Sequence, residues 1–105
     1  MAQFDVYRNP HGSSATIYPY LVDIQSPFLE GLHSRIVIPL ARRDPAGMEP
    51  LPTLTPEVSY ETENLLLCTP QISAVPKAVL TGPVGSLAHL REAIINALDF
   101  AISGF

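Results

Sequence analysis

The sequence has no tryptophan, one cysteine and one lysine, and charged side chains make up only 15 % of its 105 residues. Each shortage closes off a class of function. Cys68 has no second thiol to meet, which excludes an internal disulfide and any cysteine-based metal cluster. Flanked by Leu65, Leu66 and Leu67, it reads as a buried core thiol. With Lys77 the only lysine and a net charge of −4, the chain lacks the clustered cations that phosphate backbones and anionic membranes require. No direct nucleic-acid binding is expected. The one basic pair, Arg42-Arg43, runs into Asp44 and reads as a solvated loop. No apolar run approaches the roughly 18 residues of a membrane span. The start MAQFDVYRN has no basic patch leading into an apolar stretch, so no signal peptide is read there and the expected location is cytoplasmic.

Catalytic patterns are missing too. There is no Gly-rich phosphate loop, no HExxH and no Gly-x-Ser-x-Gly. His11, His33 and His89 are scattered, so neither metal nor cofactor is expected. Glu61 and Glu63 share a strand face and could pair for acid–base work, but two solvated carboxylates are the simpler reading. On its residues alone the chain reads as an interaction protein, not an enzyme.

What is present is apolar and punctuated by proline: 47 % hydrophobic residues and 11 prolines. A chain this short is one domain, residues 1–105, with a modest core that a second copy would supplement. Short strands are predicted over 3–7, 16–25, 35–40, 58–62, 64–69 and 74–81. Tyr18, Tyr20, Val22 and Ile24 share one face of the second, with Ile17, Leu21 and Asp23 on the other. Asp23 lies between two apolar neighbours, where a carboxylate either points to solvent at a strand end or is hydrogen-bonded inside. Pro39 is expected at the edge or end of its strand. The segment 26–34 is a loop displaying Phe28 and Leu29, which either tuck onto the core or form part of a binding surface. Four prolines at 45, 50, 52 and 56 exclude a helix from 42–56, although Leu51 and Leu54 could anchor a short strand there.

The last stretch, 86–105, carries the longest helical pattern. Ser86 is the expected N-cap and Gly104 the expected left-handed stop. His89, Glu92, Asn96, Asp99 and Ser103 form one narrow polar stripe, and nearly all else is apolar. That is more apolar circumference than one sheet covers. A second copy is the expected cover, burying area at about 25 cal/mol/Å², with a folded-over loop as the alternative. The closing Ser103-Gly104-Phe105 reads as buried at an interface or presented to a partner. Strands preceding one helix, without βαβ alternation, predict a mainly β domain. The expected form is an antiparallel sheet of five to seven strands or a small barrel, with one C-terminal α-helix.

Five stretches in register, QFDVY, LVDIQS, RIVIPLA, SAVPKAVL and LAHLREAIINALDFAISGF, resemble the CcdB family of bacterial toxins. The resemblance implies an SH3-like barrel with a terminal helix, assembled as a cytoplasmic homodimer. It implies a non-enzymatic toxin of a toxin–antitoxin module that binds the A subunit of DNA gyrase. The toxin traps the gyrase–DNA cleavage complex, is neutralised by a CcdA-type antitoxin, and with it represses its own operon. The gyrase-binding residues it points to are Phe28, Leu29, Asn96, Asp99, Ser103, Gly104 and Phe105. The dimer contacts are Ile95, Leu98, Ile102 and Phe105. The chain departs from the family pattern at its tip. Ser103 stands where a large aromatic precedes the glycine, and Asp99 stands where the pattern has Asn. The alternatives are a MazF-type endoribonuclease on the same barrel and a non-toxic relative that still binds an antitoxin.

Overall fold

The computed structural model describes residues 2–43 and 51–104. Seven strands build one antiparallel sheet: β1 (Asp5–Arg8), β2 (Tyr20–Asp23), β3 (Ser34–Arg42), β4 (Glu57–Tyr60), β5 (Glu63–Leu67), β6 (Ser73–Pro76) and β7 (Gly85–Ser86). One helix, α1 (Arg91–Ser103), follows. The order is β4-β5-β3-β2-β1-β7, with β6 also on β3. The sheet curls into a half-barrel. Its two ends meet through a side chain, because the Tyr60 hydroxyl of β4 donates to the Val84 carbonyl beside β7 at 3.0 Å. The Tyr60 ring also stands edge-on to Tyr20, with centroids 5.0 Å apart. A methyl group on Gly85 would collide with that ring, so the close approach requires glycine.

β3 explains most of the topology. Its first half pairs with β6 (Arg35 opposite Val75) and its second half with β5 (Leu40 opposite Leu67). Pro39 sits where the partner changes. Its carbonyl accepts from the Cys68 amide on that side, so its missing N–H faces the gap between β6 and β5. The expected edge or end position for Pro39 is therefore corrected to a mid-strand seam.

Both sheet faces are covered. Phe4, Val6, Val22, Ile38, Leu40, Val58, Leu65 and Leu67 form the main core with Leu87, Ile94 and Ala97 from the helical end. Tyr7, Leu21, Val37, Val75 and Leu80 form a second core on the opposite face. This covering is why 65–67 reads as an unbroken apolar run and why Val6 and Tyr7, on opposite faces of β1, are both buried.

Element boundaries shift for local reasons. Phe4 precedes β1, since its φ of 72° breaks the extended backbone. Residues 14–18 form a turn, with Tyr18 N–H on the Ser14 carbonyl, so β2 is shorter than the predicted 16–25. β6 ends at Pro76 in a 3-10 turn over 77–79. In the proline-rich segment Leu51 and Thr55 form an isolated bridge, and 44–50 lie outside the described residues. The helix begins later than its pattern. Ser86 is paired with Asp5 in β7, and the Leu87 amide bonds the Phe4 carbonyl. The Ser86 hydroxyl accepts from the Ala88 amide, but Leu87 is the N-cap of the 3-10 turn over 88–90 and Leu90 that of α1, so the expected Ser86 cap is corrected. Gly104 does stop the helix, with φ 79° and its N–H on the Phe100 carbonyl.

Candidate partner-binding surface

Large apolar side chains are exposed at several places among the described residues, Leu32, Leu51 and Val84 included, and two of these places hold the predicted site residues. The first is the 3-10 turn Pro27–Leu29 between β2 and β3. Ser26 caps it by accepting from the Phe28 amide, and Pro27 supplies a preset φ at its first position. Phe28 is 96 % exposed and Leu29 is 42 % exposed, which decides between the two sequence readings in favour of display. Leaving Phe28 in water forgoes about 1.5–3 kcal/mol of burial, a large sum for a 105-residue domain with ample room for choice in its loops.

The second is the end of α1. Ile94 and Ala97 face the main core, and Leu90, Ile95 and Leu98 pack half-buried against it. Ile95 and Leu98, assigned to a dimer contact by the resemblance, thus spend part of their surface on this chain's own core. Ile102 points outward, 82 % exposed, beside the 40 % exposed Phe100. Together with Leu54, Pro70 and Ile72 they line an open apolar groove along the helix tip. Glu92, Asn96, Asp99 and Ser103 are exposed as one polar stripe, as their spacing predicts. The Ser103 hydroxyl bonds back to the Asp99 carbonyl at 2.7 Å, so it is occupied within the helix. Phe105 lies outside the described residues. Asn96, Asp99, Ser103 and Gly104 are brought together by the helix, whereas Phe28 and Leu29 occupy a turn of their own.

Beneath that turn lies a polar cluster that sequence reading only half found. Asp23 is fully buried and accepts from Arg35 at its Oδ2, from Nε at 2.9 Å and from Nη2 at 2.6 Å. The buried alternative for Asp23 is the right one. Arg35, also fully buried, was missed. Only the register reveals it: Asp23 faces Val37, which puts Arg35 diagonally across on the same face. Asp23 Oδ1 accepts the Gln25 amide, and Gln25 Nε2 donates to the Leu29 carbonyl at 2.8 Å. Burial pushes the nearby Tyr7 hydroxyl above the usual phenol range, with Asp5 and Asp23 adding to the rise.

The cations are largely committed. Arg42 pairs with Glu63 at 3.0 Å and bonds the Thr16 carbonyl; Arg43 pairs with Glu57 at 3.4 Å. The expected solvated loop at Arg42-Arg43 is corrected in part: Arg42 is the last residue of β3, and both side chains are ion-paired while still partly exposed. Glu63 is likewise taken by Arg42, while Glu61 sits in the β4–β5 turn with φ 56°, so the two carboxylates do not act as a pair. Arg91 lies over the Phe4 ring, 5.5 Å from its centroid. Among the described residues no cluster of three His, Cys, Asp or Glu side chains is placed to hold a metal. No helix of the described residues is long and apolar enough to cross a membrane.

A curled antiparallel half-barrel with one terminal helix and outward apolar groups is the setting for the sequence comparison. Residues 3–104 match the family model described as CcdB, CcdB protein. The chain belongs to the CcdB family. Membership places it among toxins of toxin–antitoxin modules of the gyrase-poisoning kind, proteins that act by poisoning another enzyme. In general terms it implies gyrase and an antitoxin as the partners of such a CcdB protein.

Proposed function

We propose that this protein is a cytoplasmic toxin that binds the A subunit of DNA gyrase and traps the gyrase–DNA cleavage complex. A CcdA-type antitoxin neutralises it and joins it in repressing the module's operon. The docking groups are Phe28 and Leu29 on the 3-10 turn, and Asn96, Asp99, Ser103, Gly104 and Phe105 at the helix end. The toxin works as a homodimer, with Ile95, Leu98, Ile102 and Phe105 at the contact. It performs no chemistry of its own; it acts by where it binds.

The observation that carries this reading is Phe28, 96 % exposed on a capped, proline-started turn. A rigid, outward aromatic is the usual anchor of a protein interface, because docking recovers the burial it forgoes at little entropic cost. Asp99 and Glu92 give the helix face a negative stripe suited to a basic partner surface. The commitment of Arg35, Arg42 and Arg43 to carboxylates weighs against the endoribonuclease alternative, which needs cations free to hold phosphates.

The test is a DNA cleavage assay with purified gyrase and supercoiled plasmid. Accumulation of linear DNA on adding the protein is the expected result. Absence of linear DNA at micromolar protein would overturn the reading in favour of a non-toxic antitoxin-binding relative.

A further inference from the structure

Four of the five arginines are committed within the chain. Arg35 pairs with Asp23, Arg42 with Glu63 and Arg43 with Glu57, while Arg91 bonds Gln3 and lies over Phe4. Arg8 is the exception: it is exposed and, among the described residues, makes no hydrogen bond or ion pair. Register fixes where it stands. Arg8 lies opposite Tyr20, and Tyr20 opposite Leu40, so the three share one face across β1, β2 and β3. Arg42, two residues beyond Leu40 in β3, belongs to that same face. β1 and β3 run in the same direction and both end here, at the rim of the half-barrel. Arg8, Asn9, Pro19, Tyr20 and Arg42 line an open pocket of about 250 Å³ at this rim.

The pocket's polar walls are held in place by the chain itself. Arg42 donates Nε to Glu63 at 3.0 Å and Nη1 to the Thr16 carbonyl at 3.0 Å, and its Nη2 has no bond. Asn9 Nδ2 donates to the Ser14 hydroxyl at 3.0 Å and to the Tyr18 carbonyl at 2.8 Å, which pins the 14–18 turn beside the pocket. The Tyr20 ring stands edge-on to Tyr60. Two guanidiniums therefore share one concave site in a chain whose net charge is −4. Like charges lining a cleft raise the local concentration of the opposite ion. A guanidinium presents its N–H groups as a planar fork that matches a carboxylate.

We propose that this pocket binds a carboxylate, and that its occupant is an Asp or Glu side chain on an acidic segment of a protein partner. Arg8 supplies the uncommitted fork, Arg42 adds its Nη2, and Tyr20 with Pro19 gives the acid's aliphatic stem an apolar wall. A nucleic-acid backbone suits the site poorly. No third cation lines it, Glu63 stands on Arg42, and the rest of the chain is acidic, so successive phosphates would meet repulsion. None of the proposed gyrase-docking residues lines the pocket, so this surface and its test are independent of that reading.

The test is a titration of the full chain with capped hexaglutamate at low ionic strength, followed by calorimetry and by amide NMR shifts. Saturable binding with shifts centred on residues 8–9, 15–20 and 42 is expected. Arg8→Gln is expected to weaken it about three- to tenfold with an unchanged thermal midpoint, because Arg8 is exposed and holds nothing in the fold. Arg8→Lys, which keeps the charge and loses the fork, should fall between them. Lys77→Gln removes the same charge from another exposed site and is expected to leave binding unaltered. Equal losses from Arg8→Gln and Lys77→Gln would overturn the site in favour of a diffuse field. Absence of hexaglutamate binding at millimolar peptide would overturn it outright, as would shifts centred elsewhere. Tighter binding of a short DNA duplex or of inorganic phosphate at the same residues would overturn the carboxylate assignment.

Discussion

Asp23 and Arg35 hold each other in a place neither could occupy alone. A carboxylate and a guanidinium, both fully buried, owe their tolerance to two short hydrogen bonds and to one another. Removing one leaves the other charged and dry. Asp23→Ala is therefore expected to cost about 3–5 kcal/mol, read as a fall in the urea midpoint. The paired replacement Asp23→Leu/Arg35→Met should recover much of that loss while still loosening the turn above it. Much about these residues was legible in the sequence: the apolar neighbours of Asp23 exposed the question of its burial, and the β-branched run 35–38 exposed the strand. Arg35 was not legible. An arginine at the head of a strand looks like a solvated end until the register of β2 on β3 is known, and register is a long-range fact. The fate of Phe28 was equally hidden, because whether a loop aromatic folds back depends on space that only the packed barrel defines.

At the scale of elements, the terminal helix shows how pairing overrides pattern. Its apolar periodicity extends back to Leu87, yet the chain there is still engaged with β1, and a 3-10 turn must intervene before α1 starts. The polar stripe and the glycine stop needed no tertiary information and came directly from spacing. The tip should be separable from the fold, since Ile102, Ser103 and Gly104 are all exposed. Deleting 103–105 is expected to leave the circular dichroism spectrum and thermal midpoint within a few degrees of wild type while abolishing linear-DNA accumulation with gyrase. Retained cleavage trapping would move the docking surface away from the helix end. The barrel closure is an element-scale feature of the opposite kind, dependent on one phenol. Tyr60→Phe removes the bond to Val84 and is expected to cost about 0.5–1.5 kcal/mol, with faster amide exchange concentrated around residues 84–87.

For the whole molecule, the buried acids set the alkaline limit. Burial raises Cys68, Tyr7 and Tyr60 above their usual ranges. The unfolded chain therefore releases these protons first as pH climbs. Their contribution to stability is fully present below the unfolded values, starts to be lost as pH rises past about 8.5 for Cys68 and about 10 for the tyrosines, and is gone only above their raised folded values. Urea midpoints measured from neutral to alkaline pH should fall accordingly, and Cys68→Ala should remove the earliest part of the fall. A midpoint constant from about pH 8 to 10 would show that Cys68 titrates alike in both states.

The seam at Tyr60 gives the molecule a line of weakness with a direction. Among the described residues no ladder crosses it, so β7 and the helix behind it can peel from β4 without breaking strand pairing on that side. What leaves first in such an opening is the C-terminal segment, held to β1 by a two-residue ladder and by Leu87, Ile94 and Ala97 in the core. The same segment carries the proposed docking tip. A protease that samples partial openings would thus meet the tip-bearing end before the rest of the barrel. Any ligand clamping that end to the sheet would lengthen the lifetime of the protein it binds as well as block its surface.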